Sequence, residues 1–147
     1  MGDKTGALLI QLPASFKFDL DRLDTFLAFF TKEVRSRSFV FDLAIEFRNN
    51  YWFVEETYTL LRNYNVALVV ANSSRYPGAR ELTANVAYIR MHGPTKLFAS
   101  SYSDEQLEEL AGYIQSISSV VERIYVYFNN DFHSYAIKNA QTLQQMI

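Results

Sequence analysis

Phe39-Val40-Phe41-Asp42-Leu43-Ala44-Ile45-Glu46-Phe47-Arg48 is the stretch on which the fold turns. Successive side chains of a strand point to opposite faces. The odd positions, Phe39, Phe41, Leu43, Ile45 and Phe47, are all large and apolar. The even positions, Val40, Asp42, Ala44, Glu46 and Arg48, turn charged toward the C-terminal end. An open sheet with helices on both faces needs strands apolar on both. A β/α barrel carries helices outside only, and its inward residues at the C-terminal rim build the site. The asymmetry favours the barrel-like sheet.

The same asymmetry recurs outward from this strand. Apolar runs lie at 7–12, 39–47, 66–71, 86–91 and 124–128, each followed by a helix-like or turn-rich segment. Leu8, Ile10 and Leu12 oppose Leu9 and Gln11. Ala87, Ile89 and Met91 oppose Val86, Tyr88, Arg90 and His92. Ile124, Val126 and Phe128 oppose Tyr125, Tyr127, Asn129 and Asp131. The run ending in Asn72 is apolar throughout, and its faces stay unassigned. Between the runs, Leu20, Leu23, Leu27 and Phe30 repeat at helical spacing behind Asp19, a good N-cap. Residues 52–64 predict a second helix with Val54, Tyr58 and Leu61 on one stripe. Ser103-Asp104-Glu105-Gln106 is a capping box ahead of Leu107, Leu110, Ile114 and Ile117. Residues 135–147 predict a last helix through Ile137, Ala140, Leu143 and Ile147. Residues 72–82 are turn-rich, with room for a short helix only. Strands alternating with helices predict βα units and a mostly parallel sheet.

Bulk properties narrow the function. The 147 residues suit one domain, and a complete eight-fold barrel needs about 200 or more. Hydrophobic residues make up 49% and charged residues 20%, which supports a sizeable core rather than long disorder. The 12 Phe, 10 Tyr and single Trp predict a core dense in rings. A net charge of -2 gives no basic excess for a phosphate backbone, so nucleic acid is a poor expectation. With no Cys, thiolate metal sites and cysteine nucleophiles are excluded. No apolar stretch nears the roughly 20 residues of a membrane span, and the start at Met1 is unlike a signal peptide. A soluble, cytoplasmic protein without membrane contact is the expectation.

The polar strand ends also carry a family resemblance. Gly2-Asp3-Lys4-Thr5-Gly6-Ala7-Leu8-Leu9-Ile10-Gln11-Leu12-Pro13-Ala14-Ser15-Phe16 resembles the linker and fourth strand of the YecE-like proteins, domain of unknown function 72. Ala44-Ile45-Glu46-Phe47-Arg48, with Trp52-Phe53 after it, is similar to the fifth strand. Tyr88-Ile89-Arg90-Met91-His92-Gly93 is similar to the seventh. Tyr125-Val126-Tyr127-Phe128-Asn129-Asn130-Asp131, with Ala136 and Lys138-Asn139-Ala140, resembles the eighth strand and last helix, and Tyr102-Ser103-Asp104-Glu105 the segment between. Asn72 stands where the family's sixth strand typically ends in Asp. The resemblance implies a TIM-like barrel and candidate site positions, but no reaction. With the length, it predicts an α/β fold, a partial TIM-like (βα) barrel of five parallel strands with helices on the outer face, in a single domain over 1–147. The first three strands of such a barrel are then missing. The expected consequence is open strand edges and an inward face, including Tyr88 and Tyr125, open to water. A homo-oligomer, or a partner supplying the missing strands, is the expected remedy.

Several constellations carry chemistry. Glu46 and Arg48 share a strand face and suit either a general acid/base beside an anion clamp or a structural ion pair. Arg90 and His92 repeat that spacing, one suited to gripping an anion and the other to moving protons; His92 equally suits an orienting bond to a loop carbonyl. Asn129 and Asn130 orient sugars or bases, or simply form a turn. Trp52, Tyr102 and Tyr127 offer rings for stacking or for packing. Gln11 and Asn139 complete the set through the resemblance. A metal held by Glu46, His92 and Asp131 is the weaker expectation, because no His-Glu-x-x-His or acidic loop is present. No Gly-x-Ser-x-Gly elbow surrounds Ser73 or Ser74. No Gly-x-Gly-x-x-Gly occurs, so no cofactor is implied. Two readings result. In one, Glu46 and His92 move protons on a small anionic or sugar/phosphate-like ligand held by Arg48 and Arg90, in a hydrolase or isomerase. In the other, the chain is a non-catalytic binding or assembly module, a half-barrel that self-associates.

Overall fold

The computed structural model describes residues 6–36 and 41–147, the side chains of Arg35 and Ser36 excepted. Five strands run in the order of the sequence: β1 (Ala7–Gln11), β2 (Asp42–Glu46), β3 (Val66–Asn72), β4 (Val86–Met91) and β5 (Arg123–Phe128). Every neighbouring pair is parallel, for example Gln11 beside Glu46 and Arg90 beside Tyr127. Phe39 and Val40, expected to open the second strand, lie outside the described residues, as do Gly2, Asp3, Lys4 and Thr5.

Helices α1 (Leu20–Ser36), α2 (Glu55–Tyr64), α3 (Asp104–Ile117) and α4 (Tyr135–Met146) pack on the convex side. Asp19 caps α1 by accepting from the Arg22 N–H at 3.0 Å. The helix predicted from Trp52 is split: a 3-10 turn spans Asn50–Trp52, and α2 starts only after Val54, whose backbone is extended. α2 stops at Asn65, in the left-handed region at φ 54°. Ser103 and Gln106 form the expected reciprocal box at the start of α3.

The sheet curls into a half-barrel. In a flat sheet β2 and β5 would stand three strand spacings apart, about 14 Å, beyond the reach of one tyrosine. Here Tyr125 on β5 donates its hydroxyl to Asp42 on β2 at 2.7 Å, and its ring lies against Gly6 beside β1. The curvature follows from size. Four alanines, Ala7, Ala44, Ala67 and Ala71, line the concave face of β1–β3 with Leu9 and Val69, and Tyr88 and Tyr125 fill the space from β4 and β5. The expectation that both rings lie open to water is corrected: Tyr88 is only 6% exposed and Tyr125 is half-buried. Small residues opposite large ones close the concavity from within.

The convex core lies between sheet and helices. Leu43, Ile45, Phe47, Val66 and Leu68 meet Leu23 and Leu27 of α1 and Leu61 of α2. Val70, Ile89 and Met91 meet Leu107, Leu110 and Ile114 of α3 and Leu143 of α4. The third strand thereby gains its faces: Val66, Leu68 and Val70 outward, Ala67 and Val69 inward. Its connection to β4, residues 73–85, holds no helix. Thr83 supplies what a sheet neighbour would, accepting from the Leu68 N–H at 2.7 Å and donating to the Val66 carbonyl at 2.6 Å. Gly78 packs so tightly on β3 that a Cβ there would sit 2.2 Å from the Ala71 carbonyl oxygen. Among the described residues β1 and β5 each pair along one edge only.

Candidate functional site

The concave C-terminal rim gathers charge around one carboxylate. Glu46 ends β2 with its side chain inward and is 1% exposed. Its Oε1 lies 2.9 Å from His92 Nε2, and its Oε2 accepts from Arg90 Nη1. Arg48, two residues on, brings its Nε to 3.8 Å from Oε1. Burial pushes the Glu46 carboxyl up, but the His92 hydrogen bond and the Arg90 charge outweigh it and hold it below its ordinary range. A carboxylate only accepts, so His92 Nε2 carries the hydrogen it shares with Glu46. His92 Nδ1 is buried with no hydrogen-bond partner, beneath Phe98, whose ring meets the imidazole edge-on at 5.6 Å.

The two guanidinium groups converge on a second acceptor. Gln11, at the end of β1, takes one hydrogen bond on Oε1 from Arg48 Nη2 at 2.8 Å and another from Arg90 Nη1 at 2.9 Å. Arg90 Nε also donates to Asn129 Oδ1 at 3.1 Å. Two arginines against one glutamate give this cluster an excess of positive charge. Its edges are aromatic. Arg48 lies over the Tyr76 ring at 4.2 Å. Tyr127, in register with Arg90, stacks on Tyr88 at 5.0 Å and stays 43% exposed. Burial pushes the Tyr88 hydroxyl up to about 12.

Gln11, Glu46, Arg48, Arg90, His92 and Asn129 are thus brought together, with Tyr127 beside them. Four expected residues sit elsewhere. Trp52 is on the convex side, stacked on Phe47 at 4.7 Å and on Phe16 at 5.7 Å; a residue facing the helices offers no ring to the rim. Asn130, Asn139 and Tyr102 form a separate, buried network. Asn139 Oδ1 accepts from Tyr102 N at 3.2 Å and from Asn130 Nδ2 at 2.8 Å, and Asn139 Nδ2 donates to the Tyr102 carbonyl at 3.2 Å. The Tyr102 hydroxyl, raised to about 12 by burial, accepts from Gly93 N and donates to Asn72 Oδ1, each at 2.9 Å. These bonds tie the start of α4 to the loop after β4. Asn72 follows Val70 on the convex face and does not join the Glu46 cluster. Sequence reasoning missed Tyr76, which sits in the turn-rich segment where no periodicity marks it. Among the described residues no group of three or more His, Asp or Glu is placed to hold a metal, and Glu46 and His92 meet without Asp131.

A parallel βα half-barrel with a polar, arginine-rich C-terminal rim defines the class. Within it, the model of the family "Protein of unknown function DUF72" matches residues 1–147, and the chain belongs to that family. The YecE-like resemblance read from the sequence is thereby borne out. The crystal structure of a DUF72 family protein from Thermotoga maritima matches with a TM-score of 0.81 at 30% identity, over 95% of this chain and 56% of that one. Two crystal structures of a DUF72 family protein from Enterococcus faecalis match in fold. One has a TM-score of 0.81 at 20% identity, over 98% of this chain and 59% of that one. The other has 0.78 at 22%, over 97% and 61%. The chain therefore spans 56–61% of the length of these relatives. No curated protein matches. Among the described residues no helix is long and apolar enough to cross a membrane.

Proposed function

We propose that the concave rim binds a small anionic ligand of sugar- or phosphate-like chemistry, gripped by Arg48 and Arg90. The observation that carries this reading is Gln11 Oε1, which takes a hydrogen bond from each guanidinium at 2.8 and 2.9 Å. That is the position a ligand oxygen takes when two arginines share it. The excess positive charge of the cluster favours an anion there. Because both amide oxygens are engaged by arginine, the NH2 groups of Gln11 and Asn129 remain as donors for hydroxyls. Glu46 accepts from His92 Nε2 and so orients the ring, whose second nitrogen, Nδ1, has no hydrogen-bond partner. A hydrolase or isomerase is the reaction class this pair suits, on the analogy of other barrels. Cytoplasmic location belongs to the same proposal.

Titrating inorganic phosphate and a hexose phosphate against the protein, with melting temperature and calorimetry as readouts, tests it. Saturable binding is expected, weakened at least tenfold by Arg48→Gln. Gln11→Ala, which removes the competing oxygen, is expected to keep or tighten it. Binding indifferent to Arg48→Gln, or no binding of either compound, overturns the reading. Loss of turnover in His92→Asn with ligand binding retained would identify the proton-transfer role.

A second reading rests on the edges. Among the described residues β1 and β5 are each paired on one side only, and the relatives are longer than this chain by the shares given above. A second copy, or a partner supplying strands, fits those edges. Light scattering at high concentration tests it: a dimer or larger assembly supports the reading, and a monomer throughout counts against it.

A further inference from the structure

Tyr127 is a ring of the rim that packing leaves uncommitted. Tyr125, two residues earlier on the same face of β5, is engaged at both ends: its hydroxyl donates to Asp42 and its ring lies against Gly6. Tyr76 carries the Arg48 guanidinium, and Phe98 covers His92. Tyr127 stacks at 5.0 Å on Tyr88, with the two rings 23° from parallel. Tyr88 is buried, whereas Tyr127 stays 43% exposed. One side of the Tyr127 ring is therefore backed by protein, and its accessible area lies away from Tyr88. Two groups of the arginine cluster adjoin it. Arg90 is in register with Tyr127 on the neighbouring strand, one strand spacing or about 4.8 Å away. Asn129, two residues on from Tyr127, continues the ladder through its N–H to the Met91 carbonyl at 2.8 Å, so its side chain shares the Tyr127 face. Asn129 Oδ1 is taken by Arg90 Nε at 3.1 Å, which leaves the NH2 group as the donor beside the ring.

We propose that Tyr127 is the platform for the ring of a cyclic sugar phosphate. The inference rests on the anion reading of the rim and supplies the rest of the ligand. The phosphate takes the place of Gln11 Oε1 between Arg48 and Arg90. The C–H face of the pyranose lies on the exposed side of Tyr127, and the Asn129 NH2 donates to a ring hydroxyl. Arg90 joins the two halves: its Nη1 reaches the Gln11 oxygen and its Nε the Asn129 oxygen, so one small ligand spans both. The chemistry favours a sugar over a nucleobase. Either ring stacks on tyrosine, but the amino group of a base needs an acceptor, and the amide oxygen beside Tyr127 is engaged by Arg90. A hydroxyl takes the remaining donor.

Calorimetry on the full chain with inorganic phosphate, glucose 6-phosphate, sorbitol 6-phosphate and phenyl phosphate tests it. Sorbitol 6-phosphate keeps the phosphate and the hydroxyls but has no ring. Glucose 6-phosphate is expected to bind about three- to tenfold more tightly than sorbitol 6-phosphate, the range of one ring contact. Tyr127→Ala is expected to bring the two within about twofold of each other, and Tyr127→Phe to keep the preference. Saturation-transfer NMR on glucose 6-phosphate with the wild type gives the same answer without a variant: the C–H protons of one pyranose face are expected to be saturated first. Equal binding of the two hexose compounds, a preference that survives Tyr127→Ala, or even saturation over the sugar overturns the platform and leaves the arginine site standing. Phenyl phosphate preferred over glucose 6-phosphate overturns the sugar. Failure of all four compounds to bind overturns the anion reading and the platform with it.

Discussion

Two buried polar networks flank the loop after β4, and they are built on opposite principles. Around Glu46 the members are charged, two arginines face one carboxylate, and Arg48 Nε and His92 Nδ1 are buried without hydrogen-bond partners. Around Asn139 the members are neutral, and its amide engages the N–H and carbonyl of Tyr102 together with Asn130. Burying unmatched charge costs stability unless something returns it, whereas matched neutral amides rigidify without that cost. The contrast is one of charge: the rim carries an excess of positive charge that an anion would balance, and the neutral amide network, which keeps one buried oxygen of Asn130 unpaired, holds the loop.

The largest break comes from the charged side. Glu46→Ala leaves two mostly buried guanidinium groups uncompensated and is expected to cost about 3–5 kcal/mol in urea denaturation, toward the lower end because both arginines still reach water. The pH dependence belongs to the same carboxylate. Its folded pKa lies below the ordinary value, so its contribution is complete above the unfolded carboxylate pKa and is lost as pH falls through the ordinary range to the folded value. Melting curves across acid pH should show that loss in the wild type and a flatter slope in Glu46→Gln. An equal slope in both contradicts the coupling.

On the neutral side, Asn139→Ala orphans the buried N–H and carbonyl of Tyr102. It should cost about 2 kcal/mol while leaving phosphate affinity at the rim unchanged. A large loss of that affinity would merge the two networks into one. Ser103→Ala is the smallest change and the local control. It removes the α3 cap beside Tyr102 without touching either network, and a loss of about 1 kcal/mol is expected.

Much of the fold was legible because its signals are local. The two-residue alternation in β2 named Glu46 and Arg48 as inward before any contact was known, and the same parity placed Arg90, His92, Tyr127 and Asn129. Ser103 and Asp19 announced their helices through short-range hydrogen bonding. The signal failed where neighbours decide. β3 is apolar on both faces, so alternation is silent there. Trp52 follows a polar strand end yet turns outward, because the extended Val54 interrupts the helix and Phe16 and Phe47 receive its ring. Asn139 was a candidate through the resemblance and Tyr102 through its ring, and only their mutual distances gave them each other as partners.

Strand parity was enough to yield βα units in a mostly parallel sheet, four of whose five strands have one apolar and one polar-ended face, and the motifs at the strand ends brought the family resemblance into view. Only the folded chain decided which polar ends meet. Gln11 and Arg90 are 79 residues apart and hydrogen-bonded, because alanines on β1–β3 and tyrosines on β4 and β5 curl the sheet. Parity is a property of each strand alone. Curvature is a property of packing summed over five strands, so the convergence of Arg48 and Arg90 on one oxygen appears only in three dimensions.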